Sequence, residues 1–133
     1  MNNSIFANAT FDEGWEIKTT LTLFGNNHEI TVCANAYDEE DDITPEQEAS
    51  CAQFLQNRTE YQKTIETLLS QHFPNLTQAQ ISERLTPESF VAWDNGDCAL
   101  LISDEEAPDN GLAVTLSPEK AVLTQDEYLS EHY

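Results

Sequence analysis

Basic side chains are scarce in this chain: 133 residues hold five Lys and Arg against 25 Asp and Glu, a formal net charge of -20. That scarcity excludes direct nucleic-acid binding, because affinity for phosphates comes from Lys and Arg that displace counterions. Adhesion to an anionic membrane surface fails for the same reason. Long apolar runs are also missing, and none approaches the roughly 18 to 20 residues of a membrane span. Glycine is sparse too. The four glycines stand far apart at 14, 25, 96 and 111, so no phosphate-binding glycine loop of the Walker or dinucleotide type can form.

Three cysteines, Cys33, Cys51 and Cys98, are an odd number at wide spacing and make no disulfide framework. The segment Met1 to Ser4 has no basic region and no apolar core, so no secretory leader is expected there. Reduced thiols in a cytoplasmic protein follow as the expectation, with the cysteines acting as small buried hydrophobes.

What is present suffices for a core. Leu, Ile, Val and Phe make up 30 of the 133 residues, above the roughly 20% level below which a highly charged chain stays disordered. They also fall into periodic segments. The length is that of one domain, residues 1–133, whose self-repulsion is a cost at low salt.

Trp15, Ile17, Thr19, Leu21 and Leu23 alternate with polar residues, the period of a half-buried strand. Gly25-Asn26-Asn27 is the expected reversal, and a second strand from Glu29 to Ala36 completes a hairpin. Ile5 to Phe11 reads as another strand or an extension of the first. Thr44-Pro45-Glu46-Gln47 combines a capping residue, proline at the first helical position and a glutamine that can close a capping box. A long helix to about His72 is expected, with Asn57 as its weakest point, followed by a shorter one from Leu76 to Leu85. After a turn at Thr86-Pro87 come strands at 89–93 and 98–102 around Asn95-Gly96, then two more at 112–116 and 121–124. The order ββααββββ predicts an α+β fold, an antiparallel sheet covered on one face by one long and one short helix.

Catalytic signals are weak. With 25 carboxylates, acid pairs carry no information. His28, His72 and His132 lack partners at metal-ligand spacing, and a G-x-S-x-G elbow is missing. A reactive thiol needs nearby positive charge, which this chain hardly has. The run Asp38 to Asp42 fails as a calcium loop, since its sixth position is Ile43 and its twelfth is Ala49. The reading is therefore a protein without catalytic residues, metal or cofactor.

The distribution of charge is more informative. Asp38, Glu39, Glu40, Asp41 and Asp42 precede the long helix, and Glu46 and Glu48 open it, where acids suit the helix dipole. A second cluster, Asp104, Glu105, Glu106 and Asp109, lies between two late strands and has no such local reason. Brought together, the two clusters would steer a basic partner. Tyr37 is the expected aromatic contact beside them; Trp15, Trp93 and Tyr128 are weaker candidates, with the tryptophans expected in the core. A flat sheet edge also offers pairing to a second copy.

The layout from Trp15 to Phe24, through the acidic loop and Ile43-Thr44-Pro45-Glu46-Gln47, to the late strands of 93–116 resembles immunity proteins of bacterial polymorphic toxin systems. The resemblance implies a protein that neutralises a cognate toxin, often a basic nuclease, and it assigns no individual residue. The competing reading is an acidic module or nucleic-acid mimic that regulates a basic DNA- or RNA-binding protein. A small hydrolase with a carboxylate pair ranks third.

Overall fold

Alternation of apolar and polar residues builds the sheet. The structure, a computed structural model, describes residues 10–11, 14–35, 43–107, 110–117 and 119–132. Strand β1 (Thr10–Phe11) pairs antiparallel with β2 (Gly14–Leu23), which pairs along its whole length with β3 (Asn26–Asn35). The β2–β3 reversal is two residues long. Phe24 and Gly25 make it, both at positive φ (49° and 82°), whereas Asn26 and Asn27 already belong to β3. Positive φ at both central positions is what a two-residue turn matching strand twist requires. The Phe24 amide is held there by donating to Glu66 Oε2 at 2.6 Å.

The expected long helix is two helices. The Thr44 capping box forms as read, with Gln47 N donating to Thr44 Oγ1 and Thr44 N to Gln47 Oε1, and α1 covers Pro45–Gln56. Asn57 then leaves helical geometry (φ -122°, ψ 34°), and α2 covers Arg58–His72. A second capping box, Thr77 with Gln80, starts α3 (Gln78–Arg84). No turn intervenes at Thr86-Pro87. Helix α3 passes directly into β4 (Leu85–Ala92), which forms a hairpin with β5 (Cys98–Asp104); β6 (Leu112–Ser117) and β7 (Ala121–Thr124) follow. A short helix not read from the sequence, α4 (Gln125–His132), ends the described chain.

The seven strands lie in chain order in one sheet, and the pairing differs from expectation at one place. β3 and β4 run parallel, because α1 to α3 form the crossover between them. The other five pairings are antiparallel. The main core lies between one sheet face and α1 to α3. It contains Leu21, Ile30, Val32, Phe90, Leu100, Ile102 and Val114 from the sheet, and Cys51, Phe54, Ile65, Leu69 and Ile81 from the helices. Phe54 stacks on Phe90 with ring centroids 4.2 Å apart.

Helices cover both faces, not one. On the opposite face, Cys33, Val91, Trp93, Ala99 and Ala113 form a smaller cluster with Tyr128 of α4. No helix among the described residues is long and apolar enough to cross a membrane. Because this core holds a chain of charge -20 together, screening should favour the folded state. Raising sodium chloride from 20 to 500 mM should lift the melting temperature by roughly 5 °C, the shift of about 1 kcal/mol in a domain of this size. Calorimetry in the two salts checks this, and an unchanged midpoint would show that self-repulsion is small.

Candidate functional site

The sequence does not say how its acids are distributed over the fold. Tyr37, Asp38, Glu39, Glu40, Asp41, Asp42 and Asp109 lie outside the described residues. The chain on either side of the first run is placed. Before it, the Asn35 carbonyl accepts from Gln47 Nε2 at 2.8 Å; after it, Ile43 is buried and Thr44 caps α1. Thr44 Oγ1 also donates to the Asp94 carbonyl at 2.7 Å, and Ser50 Oγ donates to the Gly96 carbonyl at 2.6 Å. These bonds clamp the β4–β5 turn against the start of α1, with Gly96 against Glu46, so that Asp94 and Asp97 lie at the end of the sheet where Glu46 and Glu48 open the helix.

Gln47 anchors this end of the sheet. Its side chain is buried, and Nε2 bonds the carbonyls of both Asn35 and Ala92, the last residues of the two parallel strands (2.8 and 3.2 Å). One side chain thus closes the capping box and fastens α1 to β3 and β4.

The second cluster differs from its expected role. Asp104 ends β5 and is only 4% exposed. Arg84 Nε and an Nη donate to its two carboxylate oxygens at 2.8 and 3.0 Å, and the Glu106 amide donates to Oδ1 at 3.0 Å. The hydrogen bond from Arg84 holds the Asp104 carboxyl below its ordinary range against the opposing effect of burial. Asp104 is therefore a structural acid that joins the α3–β4 junction to β5. Glu105 is exposed, and Glu106 also pairs with Arg84 at 2.8 Å.

The described members of the two clusters lie at opposite ends of β5. Six residue steps separate Cys98, beside the Asp94–Asp97 turn, from Asp104, roughly 20 Å at strand spacing. The fold does not gather them on one edge. It supplies instead Asp94 and Asp97, which sequence reasoning missed because their approach to the start of α1 spans 50 residues of chain.

Three of the aromatic candidates, Trp15, Trp93 and Tyr128, lie among the described residues and pack against the core clusters. Trp93 is buried and its Nε1 donates to Tyr128 Oη at 2.6 Å, so Tyr128 is a core residue with 2% exposure. Trp15 is half-buried against the main core. The cysteines are buried. Burial first, and neighbouring charges second, push the Cys51 and Cys98 thiols up to about 12, so both stay protonated at neutral pH. Among the described residues, no group of three His, Cys, Asp or Glu side chains is placed to hold a metal ion.

Among the described residues, a groove of about 390 Å³ is lined on the second sheet face by residues of β2 to β5 and Leu129 of α4. Its floor includes Cys33, Val91, Trp93 and Leu101, and Glu16 and Glu88 stand among its walls. A bulge places Glu88 there. Pro87 pairs with Ile102 and Ser89 with Leu101, which leaves Glu88 as the extra residue. Pro87 and Phe90 are consequently both buried, while Glu88 and Ser89 both line the groove.

The model of a domain of unknown function, DUF6985, matches residues 5–106. The chain belongs to that family. The matched stretch contains β1 to β5, α1 to α3, the acidic end and the groove except for Leu129; β6, β7 and α4 lie beyond it. No curated protein and no solved structure matches the chain.

Proposed function

We propose that this member of the DUF6985 family is a non-catalytic binding protein of the immunity type, which neutralises a basic partner such as a cognate toxin nuclease. One observation carries the reading: the β4–β5 turn, with Asp94 and Asp97, is fastened to the start of α1, which Glu46 and Glu48 open, at one end of the sheet, while the basic side chains are engaged or placed elsewhere. Lys18 pairs with Glu29, Arg58 bonds Thr19 and Thr20, and Arg84 holds Asp104 and Glu106. Lys63 is on α2, and Lys120 lies beside that helix, near Glu60 and Thr64. The run Tyr37 to Asp42, outside the described residues, connects Asn35 to Ile43 in the sequence and is included in the proposal on its composition. Glu105 and Glu106 lie apart from this end, beside Arg84 and the end of β5. A concentrated negative surface raises encounter rates with a positive partner and repels nucleic acid, its competitor for the same cleft.

Co-expression tests the proposal. Cells producing a basic toxin domain encoded beside this gene should survive when the protein is present, and the two should purify as one complex. Protection should fall at least tenfold in colony count for a variant carrying Glu46→Gln, Glu48→Gln, Asp94→Asn and Asp97→Asn, since steered association scales with local charge. Failure to bind the neighbouring gene product would count against the immunity reading. Displacement of DNA from several unrelated basic proteins would favour the nucleic-acid mimic instead.

A further inference from the structure

Strand β7 ends the sheet, and among the described residues no strand pairs with its outer side. Its four residues, Ala121, Val122, Leu123 and Thr124, are half-buried and uncharged, in a chain with 25 acids. Free edges are ordinarily blunted by a charged side chain, a proline or a bulge within the strand, and β7 has none of these. The direction of its backbone groups follows from the ladder. Gln125 N donates to the Gly111 carbonyl at 2.9 Å, one step beyond the Leu112–Thr124 pair. Bonded and non-bonded pairs alternate in an antiparallel ladder, so Leu123 with Ala113 and Ala121 with Thr115 are the bonded pairs. The N–H and C=O of Val122 therefore point outward, as does the Lys120 carbonyl by the same alternation. Thr124 N faces the same way, and its contact with Glu127 Oε1 is 3.5 Å, at the limit of a hydrogen bond.

We propose that this edge pairs antiparallel with β7 of a second copy of the chain, giving a two-fold dimer with Val122 opposite Val122. The inference stands apart from the toxin-binding reading. Because only alternate residues turn outward, the strand has two central registers. Setting Leu123 opposite its copy would run the pairing into Gln125–His132, which is helical; setting Val122 opposite its copy keeps it within 120–124. In that register Lys120 of each copy faces Thr124 of the other. Thr124 Oγ1 donates to Glu127 Oε1 at 3.0 Å, so the second copy's Lys120 comes beside the Glu127 carboxylate. Both side chains are exposed, and among the described residues neither forms an ion pair within its own chain. Charge favours the antiparallel arrangement as well. Ala121 pairs with Thr115 and Ser117 with Cys98, so the Ala121 end of β7 lies toward the Asp94–Asp97 turn. A two-fold axis at the edge sends the two acidic ends in opposite directions, where repulsion between chains of charge -20 is smallest.

Sedimentation equilibrium of the full chain tests the pairing, in about 0.5 M sodium chloride to screen the net repulsion. The mass should approach twice 15.0 kDa as concentration rises toward the order of 1 mM, which detects even a weak pair of short strands. Lys120→Glu and Glu127→Lys should each raise the dimer dissociation constant about tenfold, since each turns two symmetric attractive pairs into repulsive ones. Combining them should restore it. Bulk charge predicts the contrary for Glu127→Lys, which makes every chain less negative. Val122→Pro deletes an outward N–H and should leave a folded monomer, its fold checked by circular dichroism. Should that variant not fold, amide exchange of the native chain decides: the Val122 amide should be protected at high concentration and exchange freely when dilute. A chain that stays at 15.0 kDa throughout would overturn the proposal. So would a dimer that folded Val122→Pro leaves intact, charge variants without the reciprocal pattern, or a Val122 amide whose exchange ignores concentration.

Discussion

Gln47→Leu is expected to destabilise the protein by about 3 kcal/mol, although it places an apolar side chain of similar size at a position that is 2% exposed. Three hydrogen bonds disappear together: Nε2 to the Asn35 and Ala92 carbonyls, and Oε1 from the Thr44 amide. Each is worth about 1 kcal/mol net, and a buried carbonyl left without a donor costs a further desolvation penalty. The added leucine offsets part of that through burial. Urea unfolding measures the difference. A loss below about 1 kcal/mol would mean that water replaces the side chain at these carbonyls. The change should also loosen the β4–β5 turn, because the Thr44 to Asp94 bond depends on the same helix start.

Arg84→Met should cost a similar amount, about 3 kcal/mol, by leaving the nearly buried Asp104 carboxylate without its cation. The guanidinium carbon also sits 4.7 Å from the centre of the Phe73 ring, a contact that methionine keeps only in part. Adding Asp104→Leu to Arg84→Met should recover most of the loss, since the penalty is that of an uncompensated buried charge. The sign of the pH dependence follows from the lowered Asp104 pKa. Its stabilisation is fully present above the ordinary carboxylate value and is lost as pH falls through the lowered folded value. The gap between native protein and Arg84→Met should therefore narrow in acid. A gap that stays constant down to the lowest pH at which both fold would assign the effect to packing, not charge.

Local signals in the sequence were reliable where local physics decides the structure. The alternation from Trp15 to Leu23 formed β2, the Thr44–Gln47 box opened α1, and Asn95-Gly96 lies in the β4–β5 turn with Gly96 at φ 93°. Asn57 was the weak point of the expected helix, and there the helix breaks. What stayed illegible depends on distant parts of the chain. Nothing in residues 26–35 announces that this strand pairs in parallel with 85–92, because that pairing requires the intervening helices to carry the chain across the sheet. Pro87 carries a turn signal, yet inside β4 it accompanies the bulge at Glu88. Helix α4 had a usable signal: Thr124 Oγ1 accepts from the Glu127 amide and the Glu127 carboxylate reaches back to Thr124, a capping box in a segment too short and polar to show helical periodicity.

The acidic clusters show the same division. Their composition is plain in the sequence, but Asp104 faces Arg84 and the described parts of the two clusters occupy opposite ends of β5. Net charge alone would make the two ends equivalent. The central claim is that they are not, and association kinetics with the basic partner proposed above test it directly. At low salt, neutralising Glu46, Glu48, Asp94 and Asp97 to their amides should slow association at least tenfold and flatten its salt dependence, as expected for a steering surface. Neutralising Glu105 and Glu106 should leave the rate within about twofold. Equal slowing by the two sets would contradict the account and reduce the charge of this protein to a bulk property.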